Sequence, residues 1–164
     1  MPPIALRPAT SADIDAIVVL NAAVVAVTSP MDHARCAELL ALASHARVAE
    51  RAGSVIGFIL AMLPDDAYAN ANFAWFGERL RRFAYIDRVV IAAEARGGGL
   101  GSRFYDDLAQ QARARDMLLL AAEMDLDPPN HGSLAFHAAR GFVPIGTRRY
   151  DDGKVVSMQV CALV

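Results

Sequence analysis

The spacing of apolar residues changes several times along the chain. Ile4-Ala5-Leu6-Arg7 alternates as an opening strand. From Ile14 the apolar positions then recur at helical spacing into Val24 or beyond, with Thr10 or Ser11 as cap and Asp13 and Asp15 in the first turn. Asp32 predicts the cap of a second helix through Cys36, Leu39, Leu40 and Ala43. Runs at 47–51 and 54–61 flank Ala52-Gly53 as an antiparallel hairpin, closed by Pro64. Tyr85 to Ile91 is the next strand, and a helix follows from Ser102 through Leu108 and Ala112. The nearly unbroken apolar run from Met117 to Met124 suits a strand buried on both faces. Asn130 caps a short helix through Leu134, Phe136 and His137 that ends at Gly141. Val143–Tyr150 and Val155–Leu163 then pair around Asp151-Asp152-Gly153.

Between Asp65 and Phe83 no clear period holds. The stretch carries Tyr68, Phe73, Trp75 and Phe76, then Arg79, Arg81 and Arg82. A connection this long and aromatic reads as a lid or pocket wall, or else as a surface helix packed by its aromatics or a homodimer contact.

The remaining order is strand, two helices, three strands, helix, strand, helix, two strands, and its central strand–helix–strand crossover is parallel. It predicts an α/β (α+β) chain with one domain over 1–164. At 164 residues, 55% hydrophobic and 21% charged, the chain suits one globular core. Sixteen basic against eighteen acidic residues, 16 − 18 = −2, lacks the positive excess of a nucleic-acid binder. Ile14 to Val27 is interrupted by Asp15 and Asn21 and falls short of the roughly 20 apolar residues of a membrane span. No basic leader stands at Met1-Pro2-Pro3. Cys36 and Cys161 are solitary and far apart, so the expectation is a cytoplasmic protein with reduced thiols and no membrane or nucleic-acid partner. His33, His45 and His131 show no ligand spacing, and no metal is expected.

The chemistry centres on Val89-Val90-Ile91 and the turn that follows. Gly97, Gly98, Gly99 and Gly101 fall within five positions, with Leu100 among them, and Ser102 opens an amphipathic helix. A strand, glycine turn and helix start direct backbone N–H groups and the positive end of a helix dipole at one spot, a place for an anion such as phosphate. No lysine followed by serine or threonine completes a P-loop, and no G-x-G-x-x-G opens a doubly wound chain.

Arg96-Gly97-Gly98-Gly99-Leu100-Gly101 fits R-x-x-G-x-G, with Ile91 five residues before the arginine. The stretch from Asn130 to Phe142 fits N-x-x-S-x-x-F-[YH]-x-x-x-G-F through Asn130, Ser133, Phe136, His137, Gly141 and Phe142. Together the two motifs resemble the GNAT superfamily of N-acetyltransferases. The resemblance implies a mixed, mostly antiparallel sheet of about seven strands, a parallel pair splayed at its centre and about four helices. It implies acetyl-CoA as cosubstrate, with its pantetheine bonding to backbone near Val89 and Ile91 in the splay. The pyrophosphate would meet the N–H groups from Gly97 to Ser102. Arg96 would add charge near the phosphates or act through its backbone and helix capping. Asn130 would lie beside the pantetheine, as a plain cap, or as both. Ser133 and Phe136 would touch cofactor or core.

Transfer of an acetyl group to a primary amine by direct attack needs a base, an oxyanion site and a proton for the thiolate. Strand alternation puts Asp87 on one face with Val89 and Ile91, as base or amine-orienting anion, or simply in a salt bridge. Glu123, at the end of the buried strand, is the second base or a strand-end charge reaching water. Asp125 and Asp127 read as turn formers. His137 stands where many relatives have the tyrosine that protonates the thiolate, so it is either that acid or a packed core histidine. The missing tyrosine keeps a second reading open, a non-catalytic acyl-CoA-binding sensor or interaction module. The acceptor is left as a small-molecule or peptide amine.

Overall fold

Both faces of one sheet are covered by helices, and the two sets of apolar positions separate onto those faces. In a computed structural model, which describes residues 1–164, the strands are β1 (Ile4–Pro8), β2 (His45–Arg51), β3 (Ser54–Met62), β4 (Phe83–Ile91), β5 (Leu119–Asp127), β6 (Val143–Arg149) and β7 (Val155–Ala162). The sheet order is β1-β2-β3-β4-β5-β7-β6, and β4–β5 is its parallel pair. The helices are α1 (Ile14–Ala22), α2 (His33–Leu42), α3 (Ala71–Gly77), α4 (Leu100–Ala114) and α5 (His131–Ala139). Five helices form where about four were expected, because α3 arises inside the aromatic 65–83 stretch. Asn70 starts it, its side chain accepting from the N–H groups of Asn72 and Phe73. No helix is long and apolar enough to cross a membrane.

Local chemistry accounts for the other boundaries. The Asp32 carboxylate accepts from the Arg35 N–H at the start of α2. Asp13 accepts from the Thr10 N–H before α1. In the β2–β3 turn Ala52 and Gly53 both have positive φ, which is how a two-residue loop matches the twist of its strands.

On the first face Phe58, Leu60, Phe83, Tyr85, Ala121 and Met158 pack with Ile17, Leu39 and Phe76 of α1–α3. On the second, Ile59, Ala84, Ile86, Leu120, Ala122 and Met124 pack with Phe104, Tyr105 and Leu108 of α4. A bulge interrupts this alternation in β4. Leu60 pairs with Arg88 and Ala61 with Ile86, which leaves Asp87 as the extra residue. The bulge turns Asp87 and Arg88 to the first face, while Val89 and Ile91 pack with the second. The expectation that Asp87, Val89 and Ile91 share a face is therefore corrected, since simple alternation takes no account of an inserted residue.

The parallel pair is short. Only Phe83↔Leu119, Ala84↔Leu120 and Tyr85↔Ala121 are in register. Beyond Tyr85 and Ala121 the strands part, β4 staying with β3 and β5 with β7. Backbone groups on the facing edges of the splay are left without a ladder partner, a gap that an extended polar chain fits.

Candidate active site

The second face of the splay carries the glycine turn. Gly97 and Gly99 have φ near +79° and +77°, the left-handed region open to glycine at little cost. Gly99 sits at the N-cap of α4, so the first N–H groups of the helix leave over this turn with no side-chain cap. Gly101 faces α5 and β4: a Cβ there would stand in ordinary van der Waals contact, 3.4 Å from the Phe136 ring and 3.6 Å from Ile91 Cδ1. Arg96 folds back, its Nε donating to the Ile91 carbonyl at 3.1 Å, which ties the turn to the end of β4.

The Asn130 side-chain oxygen accepts from the Ser133 N–H at 3.1 Å, so its capping role is present and its amide is free of that bond. Phe136 meets Tyr105 edge-on at 5.1 Å, which gives it a core role beside Gly101. The structure thus gathers Ile91, Arg96, the glycine turn and Phe136 on one side of the gap. It brings Asn130 and Ser133 together at the N-terminus of α5.

His137 belongs to this packed layer. Its Nδ1 donates to the Ser133 carbonyl at 2.7 Å, and its Nε2 accepts from the Tyr105 hydroxyl at 2.7 Å. Phe142 closes the ring edge-on at 4.9 Å. Burial pushes the imidazole below its ordinary value, with the Ser133 carbonyl opposing. Of the two readings of His137, this geometry favours the packed core histidine, since a neutral ring with both nitrogens engaged by protein has no spare proton to deliver.

The first face carries the carboxylates. Tyr68 donates its hydroxyl to Asp87 Oδ1 at 2.5 Å, and Arg88 Nε donates to Asp87 Oδ2 at 2.7 Å. The same guanidinium reaches the Asn21 side-chain oxygen and the Ser29 carbonyl, tying the end of α1 to the bulge. Both oxygens of Asp87 are thus engaged within the protein, and the salt-bridge reading holds for it.

Glu123 is different. Tyr85, fully buried, donates its hydroxyl to Glu123 Oε1 at 2.9 Å, while Oε2 is shielded from solvent and has no hydrogen-bond partner. Burial pushes this carboxyl up to about 7, the Tyr85 hydroxyl opposes the rise, and the charge of Asp87 adds to it. A carboxylate so placed is balanced between proton acceptor and proton donor near neutral pH.

Over it lies the start of α3. Asn72 Nδ2 donates to the Tyr150 hydroxyl at 2.7 Å, and its Oδ1 accepts from Arg148. Phe73 stacks beneath on Tyr85, with ring centroids 5.6 Å apart. Two cavities of about 310 and 340 Å³ lie elsewhere, one beside His45 and the end of α4, the other beside Phe142 and Cys161.

Residues 19–142 match the Acetyltransferase (GNAT) family. The chain belongs to that family. Solved structures agree in fold. Ard1 from Thermoplasma volcanium is 21% identical with a TM-score of 0.80, each chain covered over 98% of its length. The ribosomal-protein-alanine N-acetyltransferase from Brucella melitensis is 24% identical with a TM-score of 0.73, over 96% of this chain and 99% of that one. The Salmonella typhimurium protein yncA, solved with its cofactor acetyl-CoA, is 20% identical with a TM-score of 0.72, over 99% and 95%. No curated protein matches the chain.

In this GNAT domain the family motifs lie on the second face and the half-buried Glu123 on the first. Tyr68, Asn72, Tyr85, Arg88 and Tyr150 were not singled out from sequence as parts of a site, Tyr68 being noted only within the aromatic stretch. Polar heads inside apolar strands, as in Tyr85 and Arg88, were the available signal, since each needs a buried partner.

Proposed function

We propose that the chain is an acetyl-CoA-dependent N-acetyltransferase that moves an acetyl group to a primary amine by direct attack in a ternary complex. The single observation that carries this reading is Glu123 at the foot of the splay, with one oxygen held by Tyr85, the other free, and a proton affinity centred near 7. Acetyl-CoA supplies an activated thioester. The protein's part is to bind it through the Gly97–Ser102 N–H groups and the open edges of β4 and β5, with Val89, Val90 and Ile91 alongside the pantetheine and Asn130 beside it.

Glu123 Oε2 takes the proton that the attacking nitrogen loses as its bond to the acetyl carbon forms. The carbon–sulfur bond breaks, and Glu123 returns that proton to the departing sulfur, so the carboxylate ends as it began. Asp87 holds Tyr68 and Arg88, and through them the shape of the acceptor side. The unpaired thiols of Cys36 and Cys161 accord with a cytoplasmic setting.

The test is CoA-thiol release over a panel of amines, with calorimetry of acetyl-CoA binding. Binding with turnover supports the proposal. Binding without turnover on any amine leaves the sensor reading, and absence of binding removes both.

A further inference from the structure

The basic side chains of the first face differ in what holds them. Arg88 is paired with Asp87 at 2.7 Å, and Lys154 with Asp125 at 2.9 Å. Arg148 has no carboxylate of the chain as partner, and its Nη1 donates to the neutral amide oxygen of Asn72.

Strand register sets that cation on the same face as the acid. Glu123 pairs with Met158 and Met158 with Gly146, while Asp125 pairs with Val156 and Val156 with Arg148. Residues opposite one another in a ladder share a face, so Arg148 stands with Glu123, Met158 and Val156, one step of the alternation further along. Asn72 of α3 joins the two, since its amide also stands near enough to Glu123 to favour the ionised carboxylate.

Two groups here are left incomplete. Glu123 Oε2 has no hydrogen-bond donor. Arg148 uses Nη1 on Asn72, which leaves Nε and Nη2 without an acceptor in the chain. These two N–H groups form one edge of the guanidinium fork, the geometry that takes both oxygens of a carboxylate. The Tyr150 ring, its centroid 5.6 Å from the guanidinium carbon, helps to hold the fork in place. Arg148 and Tyr150 are half-buried, so a solute can reach the guanidinium while its charge is less screened than in open water.

Resting on the acetyltransferase reading above, we infer that the acceptor is a small amino acid, a primary amine with a carboxylate beside it, and that Arg148 selects it by holding that carboxylate on its Nε–Nη2 edge. The nitrogen then lies toward Glu123 Oε2. A plain alkylamine leaves the fork unmatched, and a peptide N-terminus offers it a neutral amide in place of the charge.

The experiment measures CoA-thiol release at pH 8 by the full chain on two matched sets: norleucine, norleucinamide and n-pentylamine, and phenylalanine, phenylalaninamide and phenethylamine. The amides keep the shape of the amino acids and drop the charge. The expected result is that kcat/KM for each amino acid exceeds that of its amide and its decarboxylated amine by about 100-fold. Arg148→Met is expected to bring those gaps under about 5-fold by raising KM for the amino acids, and Arg148→Lys, which keeps the charge without the fork, to leave about 10-fold. Calorimetry of acetyl-CoA binding shows that each variant is folded. Equal or better turnover of the amides or amines by the unaltered chain overturns the inference and leaves the acetyltransferase intact. Gaps that persist undiminished in folded Arg148→Met overturn the assignment to Arg148. Acetyl-CoA binding with no release on any member of either set removes the acetyltransferase reading and this inference with it.

Discussion

The two faces of the splay were built by different rules. On the second face, the Gly97–Ser102 turn and the Asn130–Phe142 helix are contiguous runs whose backbone geometry is local: left-handed glycines, a bare helix start, a side-chain cap. On the first, Asn21, Tyr68, Asn72, Asp87, Glu123 and Tyr150 come from five separate segments and meet only when the sheet is folded. Under the proposed assignment the cofactor side rests on backbone conformation at Gly97 and Gly99, whereas the acceptor side rests on single side chains brought together by the sheet.

The sharpest break of that contrast is Glu123→Gln. Turnover is expected to fall about 1,000-fold with acetyl-CoA affinity unchanged by calorimetry; an equal loss of affinity would place Glu123 on the cofactor side instead. Next is Gly99→Val, a β-branched residue at φ +77°. Acetyl-CoA affinity is expected to fall about 100-fold while circular dichroism keeps the fold, because only the turn must readjust. Retained affinity would show that the cradle lies elsewhere.

A third effect concerns stability. Glu123 in the folded chain titrates near 7, above its ordinary value near 4.5. Its contribution is therefore present at low pH and lost as pH rises through 7, where the fold must hold a buried charge. Glu123→Gln does not ionise, so its Tm should exceed that of the unaltered chain by roughly 10 °C at pH 8, from about 3 kcal/mol, and match it at pH 4. A difference independent of pH would assign the gain to packing.

Tyr85→Phe tests the tuning of the same acid. Without that hydroxyl, ionised Glu123 is less favoured, so the acid limb of the pH–rate profile should move up by about one pH unit, with rate recovered above it. A limb that stays in place would detach Tyr85 from the titration. The smallest expected effect is His137→Phe, with kcat within about threefold and an unshifted pH profile, because the imidazole serves packing and not proton delivery. A large loss restricted to kcat would return His137 to the mechanism.

How far the sequence could be read follows the range of the interactions. Strand and helix order, the β2–β3 turn, the Asp32 and Asn130 caps and the glycine cradle depend on neighbours within a few residues, and their chemistry is written in contiguous letters. In the segment from 65 to 83 an aromatic-packed helix was one of the readings left open, and its bounds were not legible, since seven residues with Asn70 as cap are too short to show a period and are held by packing on Phe83 and Tyr85.

Asp87 and His137 were named from sequence, yet their settings depend on contacts many residues away. A bulge opposite Leu60 turned Asp87 to the other face, and Tyr105, one helix earlier, engaged the nitrogen of His137. Glu123 was legible as an acid ending an apolar strand. Its pairing with Tyr85, its free oxygen and its raised proton affinity needed the folded sheet and the loss of water, neither of which any short run of sequence contains. Local backbone preference determined the glycine turn, whereas burial and partner choice, which exist only in three dimensions, set the proton affinity of Glu123.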